Sequence, residues 1–463
     1  MTMEHTERYE YKKILNEPSG VDDRFRFADF LTRRWCAVSE IDVIDEELRN
    51  TAYKRFLKAI KIKRLVKYSI IKQYFGIRSL SIPNRRRVIE LAFALMLDAS
   101  EAESYLKDGL CDTGFIFSDH EEFLAMYCLD RHLPISEWQS MVKVFERHID
   151  DDTVIQKRSN TAELKLLYER IAMKSQEEFL AEMLKLAGMF KGYSKTALNT
   201  LIDLKERLFE IRREDAKKML ELKLSETGYK KWIAEHPKKG ESDSSSIMRY
   251  LRYDKMRKNP DVSTELRNVL LTDYWIAYSS KDKNKDLLEE LYGVEKEKLP
   301  GLRKRIAIKN DALGMNIRLM TDKYLSDLLR IAVLSEKEIR LRSAVSRLEA
   351  MDMNAELPSE YRYLLEDEKP VKVFEALKLL NGSLDDLAGR RHVIGRNDLL
   401  PLIHYVVMKT EPNRDFFISY SNQLLLKCDM PLINEGYALD RLLINSFGAE
   451  DYYYFAEILE MLE

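Results

Sequence analysis

Glycine and proline are scarce in this chain, at 16 and 11 of 463 residues, each about half the usual share. Turns consume both residue types, so a strand-rich fold with many reversals is excluded and helices are favoured. Cysteine is scarce too. Cys36, Cys111, Cys128 and Cys428 are the whole stock, and no two of them form a CxxC pair. That excludes a disulfide scaffold or a zinc finger and leaves buried reduced thiols. Long apolar runs are missing as well. No stretch approaches the ~18–20 residues of a membrane span, and Met1–Arg24 is charged with no apolar signal core. No membrane partner is expected, and the expected location is cytoplasmic.

Catalytic signatures are equally absent. The chain has no GxxxxGK[ST] or GxGxxG loop to cradle phosphate, no HExxH and no GxSxG. Its seven histidines are scattered, and Asp119-His120-Glu121-Glu122 is the one local cluster of histidine with acids. On a helix His120 and Glu121 point to different faces, so the cluster reads as a helix N-cap and not as a metal site. Asp150-Asp151-Asp152 lacks the spacing of a calcium loop and reads as a solvated helix boundary. No enzyme activity, metal or cofactor is expected.

What the chain does have is helix-forming stock. Hydrophobic residues make up 45% and charged residues 33%, and the abundant types are good helix formers. The expected fold is all-α, with a helix-turn-helix-like N-terminal bundle followed by an extended multi-helix body. At ~100–200 residues per domain the length predicts two to four domains. Composition divides the chain into an arm at 1–23, a helical bundle at 24–150, a long-helix region at 151–234, a linker at 235–261, a central helical block at 262–351, a second linker at 352–370 and an acidic helical domain at 371–463. Within the bundle, Phe27, Phe30, Leu31 and Trp35 recur at helical spacing. Ser39–Leu48 reads as a second short helix, and Asn50-Thr51 caps a third over Ala52–Lys61.

The net charge is only −2, but its distribution is uneven. Between Thr51 and Glu90 stand twelve cations (Lys54, Arg55, Lys58, Lys61, Lys63, Arg64, Lys67, Lys72, Arg78, Arg85, Arg86 and Arg87) against the single acid Glu90. Tyr53, Phe56, Tyr68, Tyr74 and Phe75 are interleaved with them. Residues 424–463 carry eight acids and two cations. Lysine and arginine neutralise phosphates and release counterions, so the basic stretch is a candidate DNA face. Lys61, Lys63, Arg64, Lys67, Lys72, Arg78, Arg85, Arg86 and Arg87 supply charge, and Ser69, Lys72 and Gln73 could reach base edges. Arg85–Arg87 sit at a helix start, where cations oppose the helix dipole. The other reading is a solvated basic face, or one docked on the acidic C-terminal segment.

Pro83-Asn84-Arg85-Arg86-Arg87-Val88-Ile89-Glu90-Leu91-Ala92-Phe93-Ala94-Leu95, followed by Leu97-Asp98-Ala99-Ser100-Glu101-Ala102-Glu103-Ser104-Tyr105-Leu106, resembles the later helices of the Cro/C1-like helix-turn-helix class. The resemblance covers roughly residues 24–130 and implies a DNA-binding bundle. The recognition helix it implies is either Tyr68–Phe75 or Thr51–Ala59, because extra residues separate it from Pro83. Lys191–Ser194 and Leu319–Leu329 resemble an uncharacterised helical family of Firmicutes, which implies no function.

Two further patterns stand out. Asn84–Leu91 and Arg396–Leu402 each open a helical block in a similar way, a match that convergent helical patterning explains better than duplication. Tyr452-Tyr453-Tyr454-Phe455 points in four directions if helical, which suggests packing between domains. The expected function is a DNA-binding regulatory protein whose helical body senses or dimerises, with double-stranded DNA as partner. The alternative is a non-enzymatic scaffold that binds protein partners or itself through the helical body.

Overall fold

The structure is a computed structural model that describes residues 25–39, 43–62, 67–110, 112–149, 161–190, 193–253, 263–278, 287, 290–292, 321–365, 371–390, 394–435, 437–448 and 452–461. Among these residues the elements are helices, and the only β pairing is two isolated bridges, Glu356 with Lys372 and Phe447 with Tyr452. The all-α expectation therefore holds. No helix among the described residues is long and apolar enough to cross a membrane.

The first core is built from α1 (Arg26–Cys36), α2 (Glu46–Ala59), α3 (Tyr68–Tyr74), α4 (Arg85–Leu95), α5 (Ala99–Ser104), α6 (His120–Asp130), α7 (Ile135–His148), α8 (Thr161–Ile171) and α9 (Gln176–Lys185). It runs from Phe27 to Phe190, beyond the 24–150 bundle read from composition. Helix α2 replaces two expected short helices. Asp45 caps it by accepting from Leu48 N at 2.7 Å. Asn50 and Thr51 fall inside it, and the Asn50 amide donates back to the Glu46 carbonyl at 2.8 Å. Nothing between residues 46 and 59 breaks the helix, since neither Gly nor Pro occurs there.

Helix α4 sits at the centre. Asn84 caps it by accepting from Arg87 N, and Val88 through Leu95 are buried except for Glu90. A helix apolar on nearly all sides has to be wrapped by its neighbours. Helix α5 opens on a reciprocal capping box between Asp98 and Glu101. It then widens into a π turn over Tyr105–Gly109, where Leu110 N donates to the Tyr105 carbonyl at 3.1 Å. Around Phe123 on α6 the rings of Tyr168, Phe179 and Phe190 lie at 5.3, 5.7 and 4.9 Å between centroids. Each such pair contributes about 0.5–1.5 kcal/mol beyond the area it buries.

The second core gathers the first half of α10 (Lys195–Glu226), α14 (Asp322–Leu329), α17 (Arg396–Thr410), α18 (Arg414–Lys427), α19 (Ala438–Asn445) and α20 (Phe455–Met461). The last turns of α10 enter a separate cluster with α12 (Asp243–Arg252) and α13 (Thr264–Tyr278), next to the short α11 (Tyr229–Glu235). A further cluster joins α15 (Ile331–Leu348) to α16 (Val373–Arg390). The aromatic run at 452–455 is not helical throughout. Tyr452 sits in an isolated bridge with Phe447, Tyr453 and Tyr454 belong to no helix, and α20 starts at Phe455. Tyr452 is exposed, Tyr453 and Tyr454 pack on the second core, and Phe455 is buried.

Candidate nucleic-acid interface

Helix α2 presents a basic outer face because its apolar residues are spaced four apart. Ala52 and Phe56 are buried, whereas Thr51, Lys54, Arg55 and Lys58 are exposed. The aromatics interleaved with the cations are mostly spent on the core. Phe75 packs edge-on against Tyr53 and Phe56, with centroids at 5.8 and 5.4 Å, and Tyr74 is buried. Tyr68 alone of the five is exposed, so they do not form a platform on which successive bases stack.

Beyond α2, Lys61 is exposed and its backbone N donates to the Ala94 carbonyl at 2.9 Å. Lys63 and Arg64 lie outside the described residues. Lys67 is the N-cap of α3 and exposed, as is Ser69. Lys72 and Gln73 are half-buried. Gly76 ends this helix at φ +66°, and its N–H donates to the Gln73 carbonyl at 2.9 Å, a left-handed stop that glycine adopts without strain. Arg78 is exposed at φ +68°. Among the described residues no acid pairs with Lys54, Lys58, Lys61, Lys67, Lys72 or Arg78.

The three arginines at the start of α4 behave differently. Arg85 turns inward. Its Nε and Nη2 donate to the two Glu122 oxygens at 2.6 and 2.8 Å, and its Nη1 donates to the Thr113 carbonyl at 2.8 Å. Nη2 also donates to the Gly114 carbonyl, and Asp112 Oδ2 lies 3.6 Å from Nη1. Burial raises the Glu122 carboxyl despite the opposing charge of Arg85. Burial also works against the Arg85 cation, but Glu122 outweighs it and holds the guanidinium charged. Arg86 lies 3.4 Å from Glu121 and 3.7 Å from Glu90, and Arg87 pairs with the same Glu90. Of the three, Arg85 has its donors committed inside the protein, and the other two are partly neutralised at the surface.

Sequence reasoning missed a second charged cluster, where α7 meets α15. Arg342 reaches Glu146 at 2.5 Å, Glu121 at 3.1 Å and Glu338 at 3.0 Å. His120 stacks on Phe145 with centroids at 5.2 Å, and its Nε2 lies 3.3 Å from the same Glu146 oxygen that Arg342 binds. Burial disfavours the imidazolium, but Glu146 and Asp119 outweigh it and raise the His120 pKa. Burial likewise pushes Glu146 up, but the hydrogen bond with His120 and the Arg342 charge leave it below the usual carboxylate range. Ligand atoms of His120, Glu121 and Glu146 lie within 4.8 Å of one another. The Arg342 guanidinium already supplies the cation these carboxylates call for. Asp119, not His120, caps α6, accepting from Glu121 N and Glu122 N. The 150–152 acid run lies outside the described residues.

His404 and the described cysteines are largely withdrawn from solvent. His404 Nε2 lies 2.6 Å from Ser446 Oγ, but the two residues are 0% and 1% exposed. Burial alone pushes the His404 pKa down to about 3. Cys128 and Cys428 are buried and free, Cys36 is half-buried and free, and burial pushes the Cys128 thiol up to about 12. Cys111 lies outside the described residues. Comparison with known protein families, curated sequences and solved structures gives no match.

Proposed function

We propose that the protein is a DNA-binding regulatory protein that grips duplex DNA mainly by its phosphates, through the outer face of α2, Lys61 and the stretch from Lys67 to Arg78. The helical body then serves sensing or dimerisation. The supporting observation is the set of cations with no acidic partner among the described residues: Lys54 and Lys58 one turn apart on α2, then Lys61, Lys67, Lys72 and Arg78. Cations left without acids are free to exchange their counterions for phosphates. Arg85 leaves the interface because its donors are committed to Glu122 and two loop carbonyls. Base reading is confined to Ser69, Lys72 and Gln73 on a helix of seven residues, so positioning dominates over specificity.

The test is binding to labelled duplex of mixed sequence across a salt series. A K54A/K58A/K61A/K67A variant is compared with R86A/R87A. The fourfold variant is expected to reduce the salt slope by about 3–4, near 0.9 per phosphate contact, and R86A/R87A by less than half of that. No binding at about 50 mM salt, where such contacts are strongest, overturns the proposal.

A second reading, a scaffold for protein partners, has its own support on α16. Phe374 and Leu379 there are 64% and 54% exposed, and Val371, Leu379 and Gly382 line an open groove along the same helix.

A further inference from the structure

The Arg85 cluster has a counterpart in the second core. Arg396 is also the first residue of its helix, α17. Its Nη2 donates to Asp440 Oδ2 at 2.6 Å, its Nε to the Pro431 carbonyl at 3.1 Å and Nη2 again to the Leu432 carbonyl at 3.3 Å. Each acid is the third residue of its helix, Glu122 in α6 and Asp440 in α19. The carbonyls come from residues nine and eight before the acid in both places, 113 and 114 before 122, and 431 and 432 before 440. In both, the acid also accepts from the backbone N–H six residues upstream, Ile116 to Glu122 and Asn434 to Asp440, each at 2.8 Å.

The surroundings repeat as well. The helix that starts with the arginine is buried almost all round from its fourth residue, over Val88–Leu95 and over Leu399–Val406. One helical stretch separates it from the acid-bearing helix, α5 with its π turn in the first case and α18 in the second. A fourth helix follows, α7 or α20. The arginine lies 37 residues before its acid in one place and 44 in the other. The whole difference falls before the carbonyl-bearing loop, in the stretch that carries the longer α18. Chance patterning of apolar residues does not fix three backbone contacts at equal distances from an acid.

We infer that the chain contains one four-helix module twice, at 85–148 and 396–461, and that in each copy a guanidinium at the head of the first helix is a clasp that closes the loop before the third helix. A cation at a helix start opposes the dipole. In both copies that cost is offset by burying the charge against a carboxylate and two carbonyls. Where the first copy continues with Arg86 and Arg87, the second has Asn397 and Asp398. The clasp thus recurs without the neighbouring cations, which separates it from any nucleic-acid role.

The test is peptide-resolved hydrogen exchange on the full chain, comparing R85M and R396M with the wild type. R85M is expected to speed exchange at least tenfold in peptides over 112–124 and leave 430–445 within twofold. R396M is expected to do the reverse. Its effect should be the larger, because Arg396 and Asp440 are 2% and 0% exposed against 15% and 10% for Arg85 and Glu122. The double variant should show both changes together and no more, since the clasps lie in separate cores. If a methionine variant does not fold, R85K and R396K keep the charge but lose the fork, and the same segments should open to a smaller extent. Opening spread evenly over both modules, or an R396 variant that leaves 430–445 as protected as in the wild type, overturns the inference.

Discussion

Replacing Arg342 by methionine keeps most of the side-chain volume and removes the cation shared by Glu146, Glu121 and Glu338. Their side chains are 11%, 19% and 7% exposed, and Arg342 itself is 28% exposed. Breaking a buried ion pair from one side costs about 3–5 kcal/mol, because the orphaned charge stays desolvated. The partial exposure of Arg342 places the expected loss near the lower end, at about 3 kcal/mol. The lesion lies where α15 packs on α7. Trp138 on α7 is buried, and its Nε1 donates to the Glu121 carbonyl at 2.7 Å, so in a background with Trp35, Trp232 and Trp275 changed to Phe its fluorescence in a urea titration reports on this junction.

The pH dependence gives the sharper test. Glu146 has a lowered pKa in the folded wild type, so its contribution is full above the ordinary carboxylate value and is lost as pH falls through the folded one. In R342M Glu146 loses the Arg342 charge that helps hold it ionised, so it takes up a proton more readily as pH falls. The gap between wild type and variant should therefore narrow from pH 7 to pH 4. Adding E146Q to R342M should recover part of the loss at pH 7. A gap under ~1 kcal/mol at pH 7, the worth of an exposed pair, would refute the reasoning, as would a gap that does not change with pH.

Two other outcomes follow from single residues. His404 is buried neutral with its pKa pushed down to about 3, so between that value and the ordinary one near 6.5 the unfolded chain binds a proton that the folded chain does not. Stability in this window should fall as pH falls, by at most about 1.4 kcal/mol per unit. H404F should have a shallower slope in urea titrations from pH 6.5 to 4, and an unchanged slope counts against the assignment. Gly76 is held at φ +66°, and a Cβ there would meet the Phe25 ring at 2.7 Å. Its change to alanine should cost about 1–2 kcal/mol from the left-handed backbone alone, read as a lowered midpoint in thermal unfolding, and no change would count against a left-handed Gly76.

Local features were readable before the structure. Scarce glycine and proline fixed the class, and Asp119 was visible as a helix start because an acid there can accept from free N–H groups. Helix boundaries were weaker. Asn50-Thr51 looked like a cap, yet nothing local says whether a capping residue is used, and Asp45 took that role. The arginines were hardest. Arg85, Arg86 and Arg87 are identical in type and adjacent, and only partners 28 to 37 residues away, at Thr113, Gly114 and Glu122, send the first inward. The sole local hint was a cation in an unfavourable place at a helix head. The Arg342 cluster left no hint, because it pairs residues 196 positions apart, and the Tyr452 run misled because a string of aromatics suits non-helical chain as well as helix.

Helix α10 is 32 residues long, a rod of about 48 Å at 1.5 Å per residue. Its first half is clamped in the second core, and its last turns carry the cluster with α12 and α13. Such a rod is a lever with its fulcrum inside the protein. With the first half held, about 24 Å of rod projects, and a tilt of about 5° swings its far end through about 2 Å. Side chains such as Trp275, 56% exposed on α13, are carried on the moving arm, so a spectroscopic label there reads small angular changes in the second core as displacements.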